Sequence, residues 1–448
     1  MARVLFGTDG IRGVAGEYPL DRKTANRVGA ALGRWIGQSH ESPRVVIGMD
    51  TRESGGWLAE EVAGGLCAQH AAVDFAGVTT TPGVAYLAKT GPYAAGVMIS
   101  ASHNPYRDNG IKLIGHSGYK LPDEQEEQLE ADILAGAASG EAAALTVDPD
   151  LDRSYMRHLA STLPGGLGGL KIVCDCANGS ASSLAPELFE SLGGRVQAIH
   201  CSPNGRNINL DAGSLHLESL GAAVREHSAD VGVAFDGDAD RALFIAPSGK
   251  IVDGDAVLLL AAKHMLRAGE LSGGGNGKPV VVATVMSNLG LERALVAHGI
   301  AMARTPVGDK YVLEEMIRRG ATLGGEQSGH IIFHRYATTG DGMLTALRVF
   351  GAMIESGEGL DELTSELRVF PQRLVNVRVR ERKPLDQLPR VAAEIRAAES
   401  SFGDSGRVLV RFSGTEPLAR VMVEGPDLAQ VDEFAERIAA QIQADLGE

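Results

Sequence analysis

Short apolar runs and stretches with an apolar residue every three to four positions take turns along most of this chain. Residues 44–48, 72–78 and 95–99 are apolar runs of strand length, and residues 24–38, 56–70 and 81–90 carry helical spacing. Such strand–helix alternation predicts an α/β layer fold with ligands at the carboxyl ends of the strands. A helix rich in Glu and Ala at 123–138 and a second one entered through 141–152 close this stretch. The glycine run 164–170 precedes a strand, so it reads as a hinge and lacks the setting of a dinucleotide fingerprint. The alternation then returns twice. Strands are expected at 171–175, 195–200, 230–235 and 242–245, with a helix starting at 178–182. After residue 250 come helices at 255–268, 288–298 and 308–319 and a strand at 279–284. From Phe370 the texture changes to strands at 373–379, 407–412 and 419–423 and helices at 388–398 and 428–445, a small α+β domain. The expected boundaries are 1–153, 154–250, 251–368 and 369–448.

At about 100–200 residues per domain, 448 residues suffice for three or four domains. The excess of 57 Asp and Glu over 42 Lys and Arg gives a net charge of -15, which argues against nucleic acid or an anionic membrane as a partner. An anionic substrate would need a locally basic cleft. The start has no apolar signal core, and the most hydrophobic run, 257–266, is broken by Lys263 and His264, so a cytoplasmic location is expected. Four cysteines without paired CxxC spacing are expected to be buried free thiols.

The stretch 98–112, MISASHNPYRDNGIK, displays Ser102 at the end of a strand. Asn104-Pro105 stops that strand, because the residue before proline is pushed out of helical space. Ser102 is then either a nucleophile or, with Ser100 and Asn104, part of a turn that satisfies its own backbone. Lys112 falls on the polar face of the following strand, and Arg12 sits in the glycine-rich loop 6–13. Asp236, Asp238 and Asp240 alternate in a loop delivered by one apolar strand and removed by another. Carboxylates so placed repel strongly unless a hard divalent cation lies between them. An EF-hand would need glycine and glutamate where Arg241 and Pro247 stand, which leaves Mg²⁺ as the economical choice. Glu326, Ser328 and His330 share one glycine-flexible loop suited to sugar hydroxyls or an amine, and Lys310 lies near a helix start. Arg411 and Arg420 flank a tight turn, 412–417, whose hydroxyls and N–H groups suit a phosphate. No GxxxxGK[ST] occurs, so a nucleotide-dependent kinase is disfavoured. Three residues are candidate general bases. His330 ranks first, then Lys112, while His103 is expected to face away from Ser102 because neighbours on an extended segment point apart. The same geometry and the missing GxSxG elbow weigh against a serine hydrolase.

Taken together, Ser100-Ala-Ser-His-Asn-Pro105, Asp236-Gly-Asp-Ala-Asp-Arg241, Gly325-Glu-Gln-Ser-Gly-His330 and Arg411-Phe-Ser-Gly-Thr-Glu-Pro417 resemble the α-D-phosphohexomutase superfamily, in order and over nearly the whole chain. Within it, Phe6-Gly-Thr-Asp-Gly-Ile-Arg-Gly13, Val285-Met-Ser-Asn-Leu-Gly-Leu-Glu292 and the glutamine of Gly-Glu-Gln-Ser-Gly-His resemble the phosphoglucosamine mutase branch. The phosphomannomutase and phosphoglucomutase branches are the alternative, and a non-catalytic phosphosugar-binding protein is the rival from another class. The resemblance implies an α/β fold of three similar α/β domains with mixed sheets around a central cleft, plus a smaller C-terminal α+β domain. It implies that Ser102 is a phosphoserine and that Asp236, Asp238 and Asp240 hold one Mg²⁺ per subunit together with a phosphoserine oxygen. Glu326 and Ser328 would contact the sugar with Arg241 and Lys310, the latter standing where Arg is common. Ser413, Gly414, Thr415 and Arg420 would hold the distal phosphate. The implied reaction interconverts glucosamine 6-phosphate and glucosamine 1-phosphate through a bisphosphorylated sugar, toward UDP-N-acetylglucosamine and cell-wall precursors. Lys112 and Arg12 would add charge stabilisation, in a monomer or homodimer.

Overall fold

The computed structural model describes residues 4–7, 9–136, 140–274, 278–412 and 417–447, without the side chain of residue 386. The chain divides into two compact units, Met1–Met286 with Gly299–Ser365, and Ser287–His298 with Glu366–Glu448.

The first unit contains three sheets. In the first, β1 (Phe6–Gly7), β2 (Gly10–Val14), β3 (Arg44–Met49), β4 (Ala72–Val78), β5 (Ala95–Ile99) and β6 (Asp108–Gly115) lie in the order β1-β2-β6-β5-β3-β4. The apolar runs β4, β3 and β5 pair in parallel, and β6, β2 and β1 extend the sheet antiparallel. Its helices are α1 (Arg22–Gly37), α2 (Gly55–Cys67), α3 (Thr81–Thr90), α4 (Asp123–Leu134) and α5 (Pro149–Ser161). Helix α1 starts where the Asp21 carboxylate accepts the Thr24 N–H at 3.0 Å, filling one of the donors a helix start leaves open. It packs tightly on α2 because Gly29 has no side chain: a Cβ there would lie 1.9 Å from the Val62 carbonyl oxygen.

The second sheet, ordered β11-β10-β9-β7-β8, combines β7 (Lys171–Asp175), β8 (Arg195–Ile199), β9 (Val231–Phe235), β10 (Ala242–Ile245) and β11 (Ile251–Val252) with helices α6 (Ala181–Ser191) and α7 (Glu218–Glu226). The third holds β12 (Val280–Thr284), β13 (Ala301–Thr305), β14 (Leu323–Gly325) and β15 (Ile331–Phe333) in the order β13-β12-β14-β15. Helix α8 (Gly254–Arg267) precedes it. Between β12 and β13 the chain forms α9 (Leu289–Ala297), and α10 (Asp309–Arg319), α11 (Gly342–Ser356) and α12 (Leu360–Leu363) complete the stretch. All three sheets share one plan, a parallel centre that ends in an antiparallel hairpin: β5–β6, β9–β10 and β14–β15.

The second unit is a three-stranded antiparallel sheet, β16 (Gln372–Arg378), β17 (Arg407–Phe412) and β18 (Leu418–Glu424) in the order β16-β18-β17, with helices α13 (Pro389–Phe402) and α14 (Leu428–Leu446). Val431, Ala435, Ile438 and Ile442 of α14 join Val377, Val421 and Val423 of the sheet in one core. Helix α9 belongs to this unit and not to the third sheet, where its place in the sequence would put it. Asn288 exchanges hydrogen bonds with the Phe370 backbone, at 3.0 and 2.9 Å, and the Leu289 N–H donates to Glu424 Oε1 at 2.8 Å. All four cysteines are free; Cys174 and Cys176 are buried, Cys201 is half-buried and Cys67, against expectation, is exposed. Among the described residues no helix is long and apolar enough to cross a membrane.

Candidate functional site

The three hairpins at the ends of the parallel strands carry the three sequence-predicted loops of the first unit. Ser102 lies between β5 and β6, Asp236 to Arg241 between β9 and β10, and Glu326 to His330 between β14 and β15. Equivalent positions in three like-built sheets thus supply three different sets of side chains.

Ser102 adopts the left-handed conformation, with φ at 52°, which for a residue with a side chain costs about 1–3 kcal/mol. Its surroundings hold it there. Arg52 Nη2 donates to the carbonyls of Ser102 at 3.1 Å and Asn104 at 2.6 Å, and Asn209 Nδ2 donates to the same two at 2.9 and 3.1 Å. Arg52 is paired with the buried Asp50, which also accepts from Ser100 Oγ at 2.6 Å, and Ser100 Oγ accepts the Ser102 N–H at 3.0 Å. The turn aims Ser102 Oγ at Asp236 Oδ2, 2.6 Å away. It also overturns the expectation for His103. An extended segment would point the two side chains apart, but the left-handed turn at Ser102 brings His103 Nδ1 to 3.4 Å from Ser102 Oγ. Burial and the charges of Arg241 and Arg12 push the His103 imidazole below its usual range, so it is neutral at pH 7.

The aspartate loop is buried, and one oxygen from each of Asp236, Asp238 and Asp240 lies within 4.8 Å of the others. Among the described residues, Asp238 Oδ1 and Asp240 Oδ1 have no hydrogen-bond partner. Buried carboxylate oxygens without donors are costly, and a cation between them removes the cost, so the residues present fit a metal ion. Burial together with the Asp240 and Asp238 charges drives Asp236 well above the ordinary carboxylate range. Asp238 goes the other way: burial opposes its charge, but Lys112 and the Thr81 hydroxyl together overcome it and hold the carboxyl below its ordinary range. Lys112 Nζ lies 2.7 Å from Asp238 Oδ2, 3.0 Å from Asp9 Oδ2 and 3.9 Å from Asp240 Oδ2. It is 2% exposed, and these carboxylates overcome its burial and hold it charged, which removes it as a neutral base. Arg12 pairs with the same Asp9.

His330 is buried behind Asp240, with Nδ1 3.6 Å from Asp240 Oδ2. Burial alone would lower its pKa, but Asp240, Asp309 and Glu326 raise it to about 9. Its Nε2 lies 3.0 Å from the Gly340 nitrogen. A ring so charged at neutral pH has no free lone pair to take up a proton, which weighs against the first place given to His330 as general base. Glu326 Oε1 accepts the Gly308 N–H at 3.1 Å, and Ser328 Oγ stands 3.5 Å from Glu326 Oε2, which leaves the loop's polar groups close together. Arg241 lies 3.8 Å from Asp240 Oδ1, and its backbone N–H donates to Asp236 Oδ1 at 3.2 Å. Lys310 does not join the cluster; it pairs with Asp123, and its neighbour Asp309 accepts from Lys120 at 2.6 Å.

In the second unit, Arg411 and Arg420 face each other across β17 and β18. Burial and the Arg420 charge pull the Arg411 pKa down, a repulsion that a bound dianion would relieve. Ser413, Gly414 and Thr415 lie outside the described residues.

Four family descriptions match in succession: phosphoglucomutase/phosphomannomutase alpha/beta/alpha domain I over residues 3–139, domain II over 154–249, domain III over 253–370 and the C-terminal domain over 374–441. A phosphoglucosamine mutase of Solibacter usitatus is 59% identical, with both chains covered completely. The chain belongs to the phosphoglucomutase/phosphomannomutase family. As a phosphohexomutase it is an isomerase. A second relative, the phosphoglucosamine mutase of Koribacter versatilis, is 50% identical over 99% of this chain and 98% of its own. Among solved structures, a phosphoglucomutase/phosphomannomutase family protein from Burkholderia thailandensis shares the fold with a TM-score of 0.81 at 23% identity, covering 98% of this chain and 99% of that one. An Aspergillus fumigatus N-acetylphosphoglucosamine mutase, solved with GlcNAc-6P and magnesium, matches with a TM-score of 0.64 at 19% identity over 98% of this chain and 96% of that one.

This phosphohexomutase site includes groups that sequence reasoning passed over. Asp50, Arg52 and Asn209 shape the serine turn together with Ser100, which was expected there, and Thr81 and Lys120 join Asp9 of the glycine-rich loop among the charges around Asp238. One signal was available: 50–54 and 79–81 are polar clusters at the ends of apolar strands, where a fold of this class concentrates its chemistry.

Proposed function

We propose that this chain interconverts glucosamine 6-phosphate and glucosamine 1-phosphate, with Ser102 as the phosphoryl carrier and one Mg²⁺ at Asp236, Asp238 and Asp240. The observation that carries this reading is the approach of Ser102 Oγ to Asp236 Oδ2, at 2.6 Å, beside two carboxylate oxygens that accept no hydrogen bond from the described residues. The strained, fully supported serine turn, an activated hydroxyl and a cation site in one buried pocket suit group transfer better than passive sugar binding. The glucosamine assignment rests on the names of the relatives at 59% and 50% identity.

Three hard carboxylate donors favour Mg²⁺, which when bound would neutralise charge on a phosphoryl oxygen near Ser102. Lys112, held charged, places a fixed positive group beside the same oxygens, and Arg12 is positioned through Asp9 to add a second. Glu326 and Ser328 would accept and donate hydrogen bonds to the sugar hydroxyls or the amine, with Arg241 next to them. His103, neutral and near Ser102 Oγ, takes the place of His330 as the group able to receive a proton from an attacking sugar hydroxyl. We assign Arg411, Arg420 and residues 413–415 to the non-reacting phosphate, which must be recognised whichever hydroxyl carries it. The chain then gives its phosphoryl group to the free hydroxyl of the sugar phosphate and, once the bisphosphorylated sugar has turned over, takes back the other phosphoryl group, the one the substrate brought. The division into 1–153, 154–250, 251–368 and 369–448, a cytoplasmic location and a monomeric or homodimeric state belong to the same reading.

The test is Ser102→Ala assayed with glucosamine, glucose and mannose phosphates. Turnover should fall by several orders of magnitude while the thermal melt stays within a few degrees, and the wild type should prefer glucosamine. Near-normal turnover by the variant would remove Ser102 as carrier; preference for glucose or mannose would move the chain to the other branches of its family.

A further inference from the structure

We propose that Thr81 is a positioning residue for the metal loop, fixing Asp238 so that its Oδ1 is left for the cation, and that the Tyr155 hydroxyl braces the matching grip of α11 on the next loop residue, Ala239. Thr81 is the first residue of α3 and is 3% exposed. Both of its donors go to one residue of the loop between β9 and β10: its backbone N–H donates to the Asp238 carbonyl at 3.1 Å, and its Oγ1 donates to Asp238 Oδ2 at 2.5 Å. A single residue thus fixes the Asp238 backbone through its N–H and the rotation of the carboxylate through its hydroxyl. Lys112 Nζ shares Oδ2 at 2.7 Å, which saturates that oxygen and leaves Oδ1 without a partner.

The next loop residue is gripped in the same way. Ala239 is in the left-handed region, with φ at 57°, and its carbonyl accepts the N–H of Gly342, the first residue of α11, at 2.9 Å. Two adjacent loop residues are therefore held by the first residues of two helices. Each of those helices is capped by the residue just before it: Thr80 Oγ1 accepts the Gly83 N–H at 2.9 Å, and Asp341 Oδ1 accepts the Leu344 N–H at 2.9 Å. The fully buried Tyr155 of α5 joins the two caps. Its hydroxyl donates to Asp341 Oδ2 at 2.8 Å, and its ring lies against the first turn of α3, where a Cβ on Gly83 would come within 3.2 Å of Tyr155 Cδ1. Tyr155 therefore touches both grips on the loop, the cap of α11 through its hydroxyl and the first turn of α3 through its ring. A valine at position 81 would fill the same space, so packing alone does not call for a hydroxyl there.

The inference rests on the metal-site reading above, and the experiment separates the two. Mn²⁺ binding to the metal-free full chain is followed by electron paramagnetic resonance for the wild type, Asp238→Asn, Thr81→Val, Thr81→Ser and Tyr155→Phe, alongside thermal melts. Loss of an outer partner of a metal ligand weakens metal binding about 10–100-fold, and that is the rise in Kd expected for Thr81→Val. Thr81→Ser, which keeps the donor, should return Kd to near the wild-type value. Tyr155→Phe should weaken binding in the same direction by a smaller factor, with the Mg²⁺ dependence of turnover shifted to higher concentration and kcat recovered at saturation. Wild-type Kd in Thr81→Val refutes the assignment of Thr81, and wild-type Kd in Tyr155→Phe refutes the linkage even if Thr81→Val fails to fold. A wild type that binds no Mn²⁺, or binds it equally well as Asp238→Asn, refutes the metal-site reading itself and this inference with it.

Discussion

Replacing Arg52 with methionine should damage stability and turnover by separate routes. The guanidinium is 2% exposed, pairs with the buried Asp50 and donates to the carbonyls of Ser102 and Asn104. Removing one member of a buried pair leaves the other charge stranded, at a cost of about 3–5 kcal/mol. At about 2–4 °C per kcal/mol for a domain of 150–250 residues, the melting temperature should drop by roughly 6–20 °C. Burial already raises the Asp50 pKa, with Arg52 the leading opposing influence, so the variant raises it further. A carboxyl whose folded pKa lies above its unfolded value costs nothing while protonated and destabilises as pH climbs toward the folded pKa. The deficit relative to the wild type should therefore be larger at pH 8 than at pH 5. Turnover should fall about 100-fold, because of the two side chains on the Ser102 and Asn104 carbonyls only Asn209 then remains, and a shift of about 1 Å is worth that much. Calorimetric melts at both pH values and a coupled turnover assay supply the numbers. Arg52→Met with Asp50→Asn should regain stability but not turnover. A loss under 1 kcal/mol, or one independent of pH, would show that this ion pair does not brace the turn.

Other outcomes follow from the same site. Asp341, raised to about 6 mainly by burial, ionises in the folded chain at a cost of roughly 3 kcal/mol, at 1.36 kcal/mol per pKa unit, lost between about pH 4 and pH 6. Asp341→Asn should flatten that part of the stability profile, measured by urea unfolding; an unchanged slope would exclude Asp341 as its source. In kcat–pH profiles, His103→Asn should remove the acid limb while His330→Asn lowers the rate and keeps the limb, and the reverse pattern would restore His330 as the base. Chelation should abolish turnover and Mg²⁺ should restore it, with full activity in metal-free protein as the contrary result.

The elements legible in the sequence are those whose pattern is long or whose residues are chemically unusual. Helices at 24–38 and 428–445 appear as Arg22–Gly37 and Leu428–Leu446, and the serine and aspartate loops fall at the ends of the strands expected to carry them. Strands β14 and β15 have only three residues each, too few for any period to show, and α11 buries nearly all of its first twelve residues, which erases the polar face that marks a surface helix. The direction of His103 was misread because it depends on a single dihedral at Ser102, imposed by Arg52 and Asn209 from distant parts of the chain. The sequence around His330 shows neither Asp240 nor Gly340, the groups that meet its ring in the fold. Lys310 sits at the helix start where it was expected, but Asp123 takes its charge. Nothing local in 287–298 marks it as part of the C-terminal unit; that follows from Phe370 and Glu424.

Helix α9 gives the order of synthesis a part in folding. Its buried Leu291 and Leu295 leave the ribosome long before Glu424, whose carboxylate receives the Leu289 N–H. At 5–20 residues per second, the wait between His298 and Glu424 is roughly 6–25 s. For that interval an amphipathic segment, inserted between two stretches of the first unit, has no sheet to join. The nascent chain therefore offers chaperones a defined target, and a stall between 366 and 424 would strand this helix after every residue of the first unit has been made.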